Sequence, residues 1–402
     1  MGPNNRGTIN NHYVPQFILR NFGDRINIFN IRTQGYSPNR NPKSIFCRKG
    51  IYSDKLESKL NNKLEVLTAD LINKKILNTK GDITLTRKEL LLLKRFFVIG
   101  MLRSPDAISM VRQFRSESEA IAFEKMMFDP KGRYSSDYVE GESDEEYWER
   151  TMGAILDADD YNLGTISNNP KSTFLAYYWT IVYTSGYIAI WDAPEEDDFI
   201  ITDIGMTSEI ELRDNPADEI EGRKIKTLMA WHDLFETMAS DGDEMAHHKA
   251  EEIDLITVWQ AGFKENFYMF PLSSKRMIVL VNPFFKQYFS LKDTFGDLLP
   301  PLWRYTAMPD ERVFAPNRSE RMLNDTGPRK PSDRYTYTPV SLWREEIQYC
   351  NALQMDRVHT WLGFGSLERA RGSIVTYGCV DHPRNDYSGL FDVIYERNEN
   401  HH

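Results

Sequence analysis

Cysteine is scarce in this chain. The three present, Cys47, Cys350 and Cys379, have no CxxC spacing and no neighbouring histidine pair. That argues against a disulfide framework or a zinc site built from them, and it suits a reducing cytoplasm. Long apolar runs are missing as well. No stretch reaches the roughly 18–20 apolar residues needed to span a bilayer. The most apolar segment, Leu90–Leu102, is broken by Lys94, Arg95 and Gly100. The opening Met-Gly-Pro-Asn-Asn-Arg has no apolar signal core. The expectation is a soluble, cytoplasmic protein with no membrane partner. Basic residues are outnumbered, 49 Lys and Arg against 59 Asp and Glu, for a net charge of −10. Such a balance disfavours non-specific binding to nucleic acid, although it leaves room for a local basic cleft. Familiar catalytic signatures are also lacking. There is no Walker A loop, HExxH, GxSxG or dinucleotide fingerprint, so no cofactor and no metal-ligand set can be named.

What is there is globular in character, 41% hydrophobic and 27% charged over 402 residues, enough for one large domain or two. Pro15 suits a helix start and Gly23 a helix stop, so a short helix is expected between them. Val14, Phe17, Ile18 and Phe22 form its apolar stripe, and so short a helix must be docked. Arg25–Ile31 reads as a strand and 33–42 as turn material, with another extended piece near 45–52. Asp54 with Glu57 has the spacing of a capping box. The helix behind it carries a seam of Leu56, Leu60, Leu64, Leu67 and Leu71. Thr86 with Glu89 repeats the capping pattern before a largely apolar helix that ends at Ser104-Pro105. A helix over 106–127, an acidic loop over 129–150 and an aromatic-rich helix over 171–183 follow. The period then changes to strands at 186–191, 199–203, 208–212, 267–272 and 277–281. Residues 299–339 read as a long loop, 340–359 as a helix, 361–364 as a strand, and the chain after Glu368 as a polar tail. The expected fold is α+β, a helical subregion plus a mostly antiparallel sheet closed by a C-terminal helix. Its parts are a cap over 1–54, a helical subregion over 55–185, a sheet-containing subregion over 186–368 and a tail over 369–402.

Candidate chemistry starts at His12-Tyr-Val-Pro-Gln-Phe-Ile-Leu-Arg20-Asn-Phe22. This stretch resembles the opening of a bacterial family called domain of unknown function 4238. Leu56-Glu57 with Glu65, Arg103-Ser104-Pro105, Thr202-Asp203, Phe270-Pro-Leu-Ser273 and Asn351 agree with that family in order and spacing. The resemblance spans roughly 10–365. One departure is Thr202-Asp203-Ile204-Gly205, where the family tends to have Ser-Asp-Asn-Pro. The family name implies no activity.

From the residues themselves, His12 is a candidate acid/base group. Asp203, at the end of an apolar strand, is a candidate orienting carboxylate or metal ligand. Arg20 and Arg103 are candidate anion binders, and Asn351 a candidate substrate-positioning amide. His12 and Asp203 are expected to converge. Ser273 reads as a turn residue before it reads as a nucleophile. Two functions stay open. One is a hydrolase or phosphodiester-cleaving enzyme acting on a small molecule or nucleotide-like anion. The other is a non-catalytic sensor or partner-binding protein in which the same residues hold the scaffold.

Overall fold

The computed structural model describes residues 10–105, 141–157, 187–205, 207–208, 234–240, scattered positions between 242 and 249, 267–281, 318–319, 330–380 and 383–399. The helices expected over 106–127 and 171–183, and most of the loop over 299–339, lie outside the described residues.

The described chain opens with β1 (Asn10–His12), α1 (Gln16–Arg20), β2 (Ile26–Asn30), β3 (Gly35–Arg40) and β4 (Cys47–Lys49). Pro15 is the N-cap of α1, and Val14, Ile18, Leu19 and Phe22 are buried. Phe17 is only half-buried, with its ring 5.6 Å from that of Phe96. Residues 33–42 are more than a turn, because β3 pairs with β2 at the edge of a four-stranded sheet. Pro38 is tolerated there since an edge strand need not donate outward. A register shift between Ile26 and Ile28, with Asn39 at φ 56°, accommodates the unpaired residue as a bulge.

A long helical run follows: α2 (Asp54–Leu60), a π-turn at Asn61–Glu65, α3 (Val66–Leu71) and a second π-turn at Ile72–Leu77. Ser53 rather than Asp54 is the N-cap, its side chain accepting from the Leu56 amide. A π-turn takes in an extra residue and rotates whatever follows it. The leucine seam is therefore split. Leu56, Leu60, Leu64 and Leu71 are buried, Leu67 is 53% exposed, and Thr68 is turned inside in its place. Next come β5 (Ile83–Thr86) and α4 (Arg87–Leu102), with the Thr86–Glu89 capping box formed. Helix α4 is buried around most of its circumference within the largest apolar cluster. The acidic stretch read as a loop up to residue 150 contains the start of α5 (Asp144–Asp157). Ser143 and Glu146 hold its first turn by reciprocal bonds, and Trp148, Met152 and Ile155 are its buried stripe.

The remaining strands are β6 (Tyr187–Asp192), β7 (Ile201–Thr202), β8 (Thr207–Ser208), β9 (Phe267–Pro271), β10 (Arg276–Val281), β11 (Arg318–Ser319), β12 (Arg334–Tyr337), β13 (Val340–Ser341) and β14 (Trp361–Phe364). The helices are α6 (Arg344–Arg357), α7 (Leu367–Gly378) and α8 (Ser388–Glu399). The sheets run β13-β6-β10-β9-β8, β3-β2-β14-β7, β11-β12-β5 and β1-β4. Among the described pairings only β13 with β6 is parallel, so the α+β class with mostly antiparallel sheets stands. Two expectations need correcting. Residues 299–339 contribute β11 and β12 to a sheet with β5. The supposed polar tail holds α7 and α8, because Leu367, Ala370, Ile374 and Tyr377 make a buried helical stripe among its charges. No described helix is long and apolar enough to cross a membrane.

Candidate active site

Strand β1 lies antiparallel to β4, with Asn11 opposite Arg48 and His12 opposite Cys47. Successive strand residues face opposite ways, yet Asn11 and His12 are both buried, so this ribbon is covered on both sides. Both ends of the Asn11 side chain are engaged: its amide nitrogen donates to Glu57 Oε2 at 3.2 Å and its carbonyl accepts from the Ile51 amide at 2.9 Å. Glu57 comes from the first turn of α2, and Glu65 from the π-turn after it. Arg103 is the C-cap residue of α4; it is 2% exposed and its Nη1 donates to Glu65 Oε1. The Arg103 guanidinium also stands 5.9 Å from the centre of the Tyr52 ring. That ring meets Trp148 edge-on at 5.5 Å, and Trp148 Nε1 donates to the Leu102 carbonyl. Glu149 accepts from the Ser53 amide, which ties α5 to the start of α2. Residues far apart in sequence thus converge where β1, α2, α4 and α5 meet.

The electrostatics follow from this packing. Burial disfavours a charged Arg103, but Tyr52, Glu65 and Glu57 outweigh it and hold the guanidinium firmly protonated. Burial, reinforced by Arg103, pushes His12 below the ordinary histidine value of 6.5; Glu57, Glu65 and a bond to the Lys43 backbone pull the other way. Burial also raises the Tyr52 phenol, with Glu57 and Glu65 adding to it and Arg103 opposing. His12 is therefore a neutral imidazole near neutral pH. Its Nε2 is buried and has no hydrogen-bond partner among the described residues. A bond to the Lys43 backbone that favours the protonated ring is one the ring donates, which leaves the Nε2 lone pair unused. Cys47, across the ribbon, has its thiol pKa raised by burial and is a poor thiolate nucleophile.

Beside the cluster lies a cleft of about 780 Å³ whose lining includes Tyr13, Arg48, Lys49, Tyr52, Lys55 and Glu145. Tyr52 belongs to both, so the cluster sits one side chain behind the cleft.

The structure distributes the sequence-predicted residues unevenly. His12 and Arg103 meet in the cluster. Arg20 is exposed and donates to Gln16 at 3.2 Å. Asp203 is buried, and its oxygens accept from the amides of His359, Thr360 and Trp361 at 3.2, 2.9 and 3.1 Å. The charge of Asp203 acts on Tyr13, the neighbour of His12. Asn351 accepts from the Ile200 amide at 3.1 Å and donates to the Asp198 carbonyl and to Ser373 Oγ, both at 2.8 Å. These bonds give Asp203 and Asn351 scaffold contacts. Ser273 Oγ accepts from the amides of Lys275 and Arg276, as a turn residue does. The residues missing from the candidate set were Tyr52, Glu57 and Glu65. The spacing of Glu57 and Glu65 within the family resemblance was the one signal for two of them. Among the described residues no group of three or more His, Cys, Asp or Glu side chains is placed to hold a metal ion.

No curated protein and no solved structure matches the chain. The sequence pattern of the family described as "Protein of unknown function (DUF4238)" matches residues 10–290. That span contains His12, Glu57, Glu65, Arg103 and Asp203 and stops short of Asn351. On this match over more than half its length, the chain belongs to the DUF4238 family.

Proposed function

We propose that the chain is a hydrolase cleaving phosphodiesters or related anionic esters, with the buried His12 cluster as its acid/base centre. The observation that carries this reading is the His12 Nε2, buried without a partner among the described residues and set inside fixed charges. A buried polar atom without a partner costs roughly 1–3 kcal/mol, and function is one reason to retain it. In the proposed step Nε2 takes a proton from water as the water oxygen bonds to phosphorus. The ester P–O bond breaks, and the leaving oxygen receives the proton back. Arg103, fixed by Glu65, and Glu57, fixed by Asn11, hold the charges around the ring in place. Asp203 and Asn351 belong to the scaffold, and Arg20 to the surface. We place the protein in the bacterial cytoplasm, because its three cysteines form no disulfide among the described residues.

The test is turnover of chromogenic phosphomonoesters, phosphodiesters and carboxylic esters by the wild type and His12→Asn. Loss of roughly 10²–10⁴-fold with an unchanged circular dichroism spectrum is expected. Undiminished turnover by His12→Asn would remove the reading. The alternative is a non-catalytic sensor or partner-binding protein. It is favoured by the mutual pairing of Arg103 with Glu65 and Asn11 with Glu57, which serves a scaffold equally well. Ligand binding without turnover of any ester would select it.

A further inference from the structure

His12 Nε2 is sealed from solvent, so it meets a molecule in the cleft only when a side chain moves. Of His12, Tyr52, Glu57, Glu65 and Arg103, Tyr52 alone lines the cleft. The backbone on either side of it is pinned. The Ile51 amide donates to Asn11 Oδ1 at 2.9 Å, and the Ser53 amide donates to Glu149. Ser53 is also the N-cap of α2. What remains free locally is rotation of the Tyr52 side chain between its staggered rotamers. Two other buried tyrosines show how such a ring is fixed. Tyr377 donates its hydroxyl to Asp356 and Tyr387 to the Met355 carbonyl, each at 2.8 Å. Tyr52 is comparably buried, at 3% exposed, yet its hydroxyl makes no hydrogen bond among the described residues, although Glu57 lies near enough to act on it. An unbonded buried hydroxyl destabilises the inward position, and turning it into the cleft lets water bond it. The contacts that hold the ring inward are aromatic: Trp148 edge-on at 5.5 Å and the Arg103 guanidinium at 5.9 Å.

We propose that Tyr52 is a side-chain gate, closed in this structure, whose outward rotation opens His12 to the cleft. The proposal deepens the hydrolase reading and rests on it, adding how access to that site is controlled. Closed, the ring keeps the imidazole enclosed among fixed charges; open, it admits an ester and the attacking water. Because the backbone at Ile51 and Ser53 stays bonded, the gate works without unfolding the segment that carries it.

The test is labelling of the full chain with diethyl pyrocarbonate, which acylates neutral imidazole. Tryptic cleavage after Arg6 and Arg20 leaves His12 as the one histidine of its peptide, so its labelling is read apart from the others. In wild type His12 should label more slowly than exposed His248. The rate should stay flat at low urea, because a side-chain rotation exposes little surface. Tyr52→Ala should label His12 at least about tenfold faster. Tyr52→Phe keeps the ring and loses only the unbonded hydroxyl, so it should label no faster than wild type. A wild-type rate equal to that of His248, or one that climbs with urea in step with global unfolding, overturns the gate. An unchanged rate in a cooperatively melting Tyr52→Ala overturns it too. If Tyr52→Ala does not fold, the urea dependence in wild type decides. Ester turnover by His12→Asn separates the two readings. Gated labelling with undiminished turnover leaves the gate standing and removes His12 as the acid/base group. Ungated labelling with lost turnover removes the gate and keeps the hydrolase.

Discussion

A guanidinium that is 2% exposed needs a fixed counter-charge, and Arg103 finds it in Glu65. Removing one partner strands the other, so Arg103→Ala should cost about 3–5 kcal/mol in denaturant unfolding. Arg103→Met combined with Glu65→Gln should cost less than the two single changes added together. Simple additivity would show that the pair is uncoupled. His12 gives a pH signature. Its folded pKa lies below the ordinary 6.5, so the unfolded chain binds the proton more tightly. The stability gained by keeping it neutral is complete above the unfolded value and is lost as pH falls through the folded one. Melting temperature should therefore fall more steeply on acidification in wild type than in His12→Asn. Parallel curves would mean that His12 is not held neutral. At this scale His12 and Arg103 were legible because a histidine before an obligatory helix start and an arginine at a helix end are locally conspicuous. Their partners were not. Glu57 reads as a capping residue and Glu65 has no signal beyond its place in the family resemblance, and only the tertiary fold turns both toward Arg103. The bonds of Asp203 were hidden too, since its three amide partners at residues 359–361 lie 156–158 positions further along the chain and its own strand end does not announce them.

Elements whose period is regular could be read directly: the capped α4, the β9–β10 hairpin and β14 all lie where apolar spacing and turn residues put them. The π-turns could not be read, because nothing local in Asn61-Asn-Lys-Leu-Glu65 distinguishes an extra residue in the turn from regular helix. They make a sharp prediction. Leu64→Ala should cost about 2–5 kcal/mol, whereas Leu67→Ala, on the same ideal seam, should stay within about 0.5 kcal/mol. Equal costs would restore the unbroken helix. Thr68 Oγ1 is buried without a partner among the described residues, so Thr68→Val should be neutral or stabilising. Helix α5 was hidden for a different reason. Its acidic first turn, which favours a helix N-terminus, looks in sequence like the continuation of a charged loop.

The two ends of the described chain are built into one another, and this changes what the C-terminal segment does. Strand β14 pairs with β2, so residues 361–364 complete a sheet begun at 26–40. Helix α8 then packs on β3 at the outer edge of that sheet. Tyr387, 2% exposed, sets its ring 5.7 Å from Phe29 and 5.2 Å from Tyr377, and its hydroxyl donates to the Met355 carbonyl at 2.8 Å. Gln34 accepts from the Gly389 amide at 3.0 Å, closing the contact over the β2–β3 turn. An edge strand with a proline and a bulge has few means of its own to stay in register, so its cover supplies them. Tyr387→Ala should therefore cost about 3–5 kcal/mol. Ending the chain at Cys379 should do more than remove a terminus. Leu390 and Ile394, buried in α8, would be lost with Tyr387, leaving Phe29 and Tyr377 uncovered. Amide hydrogen exchange over 26–40 should then speed up, even though that segment lies at the opposite end of the sequence. Unchanged protection there, with an unchanged melting temperature, would show that the first sheet stands without α8.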